Sequence, residues 1–261
     1  MKRLLKKALS LNFLRKTLGY GNIFSALKFD LGVSLAKLEY KNILVLSPHP
    51  DDDVFAMGGT IKKITTAGSK VTVAYFCDGS AGVPENRSID IDSKVSGNLV
   101  ERRKNEAKLA AKILGINESV FFGYPDGKLA SGTSVFKAVT DLIQRVKPDI
   151  IFLPSFLDNH PDHRVVNEIF INLNNLPDDF PIWAYEVWTP LFPNRLIDIS
   201  LYIKTKKEAI LAHESQLQSR GYDKAIIGLN QYRAEINNIS GFAEAFFAAP
   251  LKLYKELYRK S

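Results

Sequence analysis

The stretch Ile43-Leu44-Val45-Leu46-Ser47-Pro48-His49-Pro50-Asp51-Asp52-Asp53 decides the fold. Its first four residues form an unbroken apolar run ending in turn-formers, the pattern of a β-strand buried on both faces. Val54 to Lys63 follow, with Gly58 and Gly59 early in what reads as the start of a helix. Strand, tight turn and helix in that order put His49, Asp51 and Asp52 at the carboxyl end of a strand. In an open α/β sheet that edge is where ligands bind. His49 and Asp52, three apart on one turn, can face a single cation. Asp51 between them points elsewhere, free to act on a water held by that cation.

A second stretch repeats the pattern. Ile150-Ile151-Phe152-Leu153 is strand-like and leads into Pro154-Ser155-Phe156-Leu157-Asp158-Asn159-His160-Pro161-Asp162-His163-Arg164. The chain has 4 histidines, and three of them lie in these two loops. Two histidines and one carboxylate, with a position left open for water, are a common composition for a catalytic zinc site.

Between and around these stretches, strands and helices alternate. Strands are expected at 42–47, 71–76, 120–122 and 149–153, and helices at about 56–67, 98–115, 134–146 and 163–174. Four such repeats call for an α/β, Rossmann-like three-layer fold, with a mostly parallel sheet and helices on both faces. Residues 182–188 alternate like a fifth strand. Residues 83–97 lack hydrophobic periodicity and read as a loop over the site. No Gly-x-Gly-x-x-Gly follows any strand, which argues against a dinucleotide site.

The net charge of +7 is concentrated at one end. Lys2, Arg3, Lys6, Lys7, Arg15, Lys16 and Lys28 precede the first acidic residue, Asp30, and equal the whole excess. The rest of the chain is neutral on paper, which argues against nucleic-acid binding. Leu4, Leu5, Ala8, Leu9 and Phe13 share one helical stripe, with the basic residues off it. Residues 1–38 therefore read as a basic, amphipathic, helical N-terminal extension before a single domain at 39–261. The extension either packs on the domain or lies on an anionic membrane through residues 1–28. Lys6 and Lys7 interrupt any secretory signal core, and no apolar run approaches a bilayer span. Cys77 is the lone cysteine, so no disulfide framework exists. It reads as a buried filler rather than a nucleophile.

His49-Pro50-Asp51-Asp52 and His160-Pro161-Asp162-His163, each after a strand, resemble the PIG-L/LmbE-like family of zinc-dependent de-N-acetylases. One departure stands out: Asp53 occupies a place where the family usually has Glu. Weaker likenesses run from about residue 40 to 250. They include Cys77-Asp78-Gly79, Arg103-x-x-Glu106, Tyr185-Glu186, Ala209-x-x-x-His213-x-Ser215-Gln216 on a helix, and Gly241 to Phe247. The resemblance implies that His49, Asp52 and His163 hold Zn²⁺, with Fe²⁺, Co²⁺ or another divalent metal compatible with the same mixed ligands. Asp51 would be the general base. His160, protonated and held so by Asp162 or another carboxylate, would stabilise the oxyanion. Either His160 or Asp51 would return a proton to the leaving amine.

Arg103 either braces Glu106 or reaches the substrate. Asp126, in the turn Pro125-Asp126-Gly127, would meet sugar hydroxyls. Tyr185 and His213 are further candidate substrate contacts, with a satisfied core histidine as the other reading of His213. Glu244 either reaches the site or caps it. The implied reaction is hydrolysis of an N-acetyl group on an N-acetylglucosamine-containing conjugate, lipid-linked ones included. The alternatives are an inactive sugar- or metal-binding relative, or a metal-dependent deacylase of a non-sugar amide or ester. A cytoplasmic location is expected, peripheral at the inner face of the membrane if residues 1–28 dock there. A homo-oligomer is compatible with the sequence.

Overall fold

The structure is a computed structural model that describes residues 33–82, 93–218 and 221–261. The amphipathic segment expected at 1–28, and residues 83–92 of the expected loop, lie outside the described residues. Residues Val33–Ser261 form one compact unit. Its elements run β1 (Ser34–Leu35), β2 (Asn42–Ser47), α1 (Asp52–Thr66), β3 (Lys70–Cys77), α2 (Ser93–Leu114), β4 (Glu118–Tyr124), α3 (Thr133–Val146) and β5 (Ile150–Pro154). Then follow α4 (Pro161–Ile171), β6 (Pro181–Tyr185), β7 (Arg195–Asp198), a 3-10 turn (Ser200–Tyr202), α5 (Ile203–Leu211), α6 (Glu214–Leu217), α7 (Tyr222–Glu235), β8 (Ala243–Pro250) and α8 (Leu251–Tyr258).

The strands make one sheet in the order β1-β7-β8-β6-β5-β2-β3-β4. All pairings are parallel except those of β8, which runs antiparallel to β6 and β7. The chain leaves β2 toward β3 and β4, then crosses back to lay β5 and β6 on the other side. β2 and β5 are thus parallel neighbours whose following connections diverge. A crevice opens between such connections at the carboxyl ends of the strands. This topology brings the two histidine-bearing loops together.

Period-2 alternation buries β2 on both faces. Ile43 and Val45 join a core with Val54, Met57 and Ile61 of α1, Ala107 and Leu114 of α2, and Ala209 and Ile210 of α5. Leu44 and Leu46 point to the opposite face and are equally buried. Fully burying each of these aliphatic side chains contributes about 1.5–3 kcal/mol, which fixes the register of the strand that carries His49.

Helix α1 is not one continuous helix. Met57 has φ −138° and ψ 23°, and the helical path breaks there. The freed N–H groups of Gly59 and Thr60 donate to Glu244 of β8 at 2.9 and 2.6 Å. Glu244 is neutralised by Lys206 Nζ at 2.6 Å, which also donates to Asn230 at 2.8 Å. All this is buried. Gly59 has to be glycine, because a Cβ there would sit 2.7 Å from Ile199. Glu244 therefore caps the second half of α1 and does not reach the site.

Several sequence expectations need correction. Helix α2 begins at Ser93, so residues 93–97 are helix and not loop; two serines and Gly97 hide the helical pattern. The fifth strand stops at Tyr185, and Glu186 to Trp188 leave the sheet. The helix expected around His213 breaks, with α5 ending at Leu211 and α6 starting at Glu214. Strands β1, β7 and β8 and helices α7 and α8 were not anticipated. No helix among the described residues is long and apolar enough to cross a membrane.

Candidate active site

The turn after β2 folds on itself. Ser47 Oγ donates to His49 O at 2.8 Å, and the His49 N–H donates to Asp52 Oδ2 at 2.9 Å. The same oxygen lies 3.0 Å from His49 Nδ1 and 3.2 Å from His163 Nε2. His163 arrives in the first turn of α4, with Pro161 at the helix start where its missing N–H costs nothing. All three side chains are buried.

The two distances from Asp52 Oδ2 match edges of a coordination tetrahedron, while the groups whose donor atoms all lie within 4.8 Å of one another are His49, His160 and His163, and His49, Cys77 and Asp162. Donors about 2.0 Å from a Zn²⁺ ion sit about 3.3 Å from each other. His163 Nε2 and Nδ1 have no hydrogen-bond partner although both are buried. An orphaned imidazole nitrogen facing a carboxylate oxygen is what a cation between them would satisfy. The outer nitrogens fit as well. His49 Nε2 lies 3.1 Å from Asp126 and 3.2 Å from Asp162, and His163 Nδ1 lies 3.4 Å from Asp158. Metal-bound histidines usually present their far N–H to such a carboxylate. The donor set fits a divalent cation.

The charges agree. Burial pushes the Asp52 carboxyl up, but His163 and His49 outweigh it and hold the group well below the ordinary carboxylate range. Burial lowers His163, and Asp52 with Asp158 more than reverses this, to about 9, so a metal ion binding here would displace that proton. Each partner favours charge on the other.

Asp51, beside this corner, pairs with Arg103 Nη2 at 3.1 Å. Burial raises its pKa, and Arg103 opposes the rise. Arg103 is itself buried, donates to Gly79 O at 3.0 Å and stands 3.7 Å from Asp126. Gly79, at φ +75°, cannot carry a side chain, since a Cβ would lie 2.7 Å from that guanidinium. The bracing of Arg103 by Glu106 is overturned. Glu106 accepts from Ser215 N and Oγ at 2.9 and 2.6 Å and from Arg102 at 3.0 Å.

His160 N-caps α4, and its Nδ1 accepts the Asp162 N–H at 3.3 Å. Its ring packs edge-on to His49, with centroids 4.7 Å apart. A nitrogen of His160 comes within 4.8 Å of one on His49 and one on His163, so it lies beside the corner. Burial, then His49 and His163, lower its pKa. The expectation of a protonated His160 held by Asp162 is therefore corrected. The Asp162 carboxylate instead accepts from His49 and from Gly127 N at 2.9 Å.

Asp126 is brought to the site as expected, its turn held by its own N–H donating to Asp78 at 3.1 Å. Tyr185, expected at the substrate, is fully buried, and its hydroxyl donates to Leu46 O at 2.8 Å. It lies under the site rather than in it. His213 is buried against Phe55, with its pKa pushed down to about 3 by burial and then by Arg103. Its Nε2 is buried without a hydrogen-bond partner, so it is not the satisfied core histidine of the alternative reading. Cys77 is buried, its thiol raised to about 11 chiefly by burial, as suits a filler. Sequence reasoning missed Asp158. It is fully buried and, besides facing His163, accepts the N–H groups of His160 and Trp188, both at 3.0 Å. An acid four residues after the end of β5 was its only signal in the sequence.

This fold, with a His–His–Asp corner and a separate acid beside it, defines a metal-dependent hydrolase of the de-N-acetylase class. The chain belongs to the GlcNAc-PI de-N-acetylase (PIG-L) family, whose model matches residues 44–174. It is 32% identical over 217 residues to diacetylchitobiose deacetylase of Thermococcus kodakarensis, covering 76% of this chain and 79% of that protein. It is 26% identical over 202 residues to the probable N-acetyl-alpha-D-glucosaminyl L-malate deacetylase 2 of Bacillus cereus, covering 75% and 84%. Among solved structures, N,N'-diacetylchitobiose deacetylase from Pyrococcus horikoshii superposes with a TM-score of 0.71 at 25% identity, over 95% of this chain and 94% of that one.

Proposed function

We propose that the chain removes the N-acetyl group of an N-acetylglucosamine-containing conjugate, with Zn²⁺ held by His49, Asp52 and His163. One observation carries the reading: a single Asp52 oxygen is reached by two imidazole nitrogens, while Asp51 next door is held apart on Arg103. A divalent cation in that corner supplies Lewis acidity, lowering the pKa of water and polarising a carbonyl.

The chain's own residues supply the rest. Asp51, its pKa raised by burial, takes a proton from the attacking water. His160, neutral and with Nδ1 accepting, has its proton on Nε2 and donates it as a hydrogen bond to the developing oxyanion. Asp51, now protonated, gives that proton to the leaving amine, so the base is regenerated. Asp126 accepts hydrogen bonds from sugar hydroxyls, and Arg103 keeps Asp51 and Asp126 in register.

The substrate class draws support from the relatives, whose names specify diacetylchitobiose and N-acetylglucosaminyl-malate. The test is a panel of acetylated amino sugars given to the zinc-loaded protein, scored for released acetate. No release from any member, at one bound zinc per chain, ends this reading. Residues 33–38, placed in the extension on sequence, belong to the compact unit through β1; we also propose that residues 1–28 bind anionic membrane. Liposome flotation of the full chain against a 29–261 truncation checks this, and equal flotation refutes it.

A further inference from the structure

Beside His160 stands an aromatic pair that the chemistry above does not use. Trp188 lies 6.3 Å from the His160 ring, with planes only 23° apart. Tyr222, at the start of α7, meets Trp188 edge-on at 5.4 Å. Trp188 remains 40% exposed, whereas Trp183, the other tryptophan of the chain, is 7% exposed. A core indole would be covered, and an incidental surface indole would not be fixed. Trp188 is fixed. Its backbone N–H donates to Asp158 Oδ2 at 3.0 Å, and Asp158 also orders His160 and faces His163. The backbone that carries the indole is thus tied to the reacting centre through one buried carboxylate, and the ring itself is placed by His160 on one side and Tyr222 on another.

The charge around the site narrows the ligand. Asp51, Asp52, Asp126, Asp158 and Asp162 converge there. Among the described residues, Arg103 is the permanent cation paired within this set, and its guanidinium is already engaged by Asp51 and Gly79. Even with a divalent cation in the corner, five carboxylates against Arg103 leave net negative charge, which a carboxylate- or phosphate-bearing group next to the reacting sugar would meet. A neutral ring would not. The C–H face of a pyranose is apolar and weakly positive at its hydrogens, and it complements the negative face of an indole.

We propose that Trp188, backed by Tyr222, is a subsite for a second, uncharged pyranose ring adjoining the one that loses its acetyl group. The substrate class is then a neutral di- or oligosaccharide, not an acid- or phosphate-linked amino sugar. This rests on the deacetylase reading above and deepens it.

The test compares N-acetylglucosamine with N,N'-diacetylchitobiose on the zinc-loaded full chain. In Trp188→Ala, the ratio of kcat/KM for the disaccharide to that for the monosaccharide falls about tenfold or more, mostly through KM, the size expected of one stacked ring. Trp188→Phe recovers most of the ratio. An equal fall for both sugars would make Trp188 a support for His160 and overturn the subsite. A second readout is independent of turnover. In a Trp183→Phe, Asp51→Asn background, Trp188 is the only indole, and adding the disaccharide shifts its emission to shorter wavelength. Unchanged emission at saturating disaccharide overturns the proposal. If the unmodified enzyme releases acetate from neither sugar, the deacetylase reading fails, and the emission titration still decides the subsite.

Discussion

Helix α1 touches two buried charge clusters, one at each side of its break, and they are built on opposite principles. Past the break, Glu244, Lys206, Asn230 and two backbone N–H groups match donor to acceptor at 2.6–2.9 Å. A similar set ties Arg233 to Glu186 and to Leu191 O at 2.6–3.1 Å. Before the break, acids outnumber fixed cations, and both nitrogens of His163 lack a hydrogen bond. Burying charge is tolerated only when it is paired, so the first kind of cluster is architecture. The second kind is stable only if something else supplies positive charge. Orphaned polar atoms on a strand-end turn therefore mark chemistry.

The largest effect tests the deficit itself. His163→Ala removes one donor and should abolish both stoichiometric metal binding and turnover, by about 10³-fold or more in kcat/KM. Metal analysis of the purified variant decides it. Retention of one tightly bound zinc would show that the corner is not where the cation sits.

Next comes the acid paired with Arg103 beside the corner. Asp51→Ala should keep metal near one per chain yet lose about 10²–10⁴-fold in kcat, the range of a missing general base. Activity within tenfold of the unmodified enzyme would remove Asp51 from the proton path.

The matched cluster should respond through stability instead. Lys206→Met leaves Glu244 buried without its cation, at a cost of about 3–5 kcal/mol. In a chain of this size that lowers Tm by roughly 10 °C. Calorimetry of the metal-free protein measures it, and a shift below 2 °C would mean the pair is not needed to hold the broken helix.

The two clusters also differ in how legible they are in sequence. The reactive one sits on two short loops, each closed within a few residues of a strand end. Local spacing therefore exposes His49, Asp51, Asp52 and His163. Strands β2, β3 and β5 are legible too, because they are apolar on both faces. The matched cluster depends on β8, whose run Ala243-Glu244-Ala245 is poor in β-branched residues and lies between β6 and β7 only through tertiary pairing. Nothing near Glu244 in sequence names Gly59 as its partner. Tyr185 lies under the site for the related reason that a family motif places a residue near a site without saying which way it points. Asp158 is the converse, a residue without a motif role whose contacts reach the site.

The smallest effect bears on Asp53, which adjoins the corner but belongs to neither scheme. It is fully buried, Tyr75 donates to its Oδ2 at 3.1 Å, and Oδ1 has no partner. Burial raises its pKa from 3.8 to about 7. A carboxyl raised on folding contributes its full stability below the unfolded value of 3.8, and that contribution is lost as pH rises through about 7. Asp53→Asn keeps an oxygen for Tyr75 and does not ionise. In metal-free protein the variant should therefore match the unmodified chain near pH 4 and exceed it by up to about 4 kcal/mol at pH 8. The gap should open between those limits and then level off. A constant gap across the range would mean that Asp53 does not titrate there. A gap that closes on adding zinc would show that the cation relieves the same buried charge, joining Asp53 to the reactive cluster.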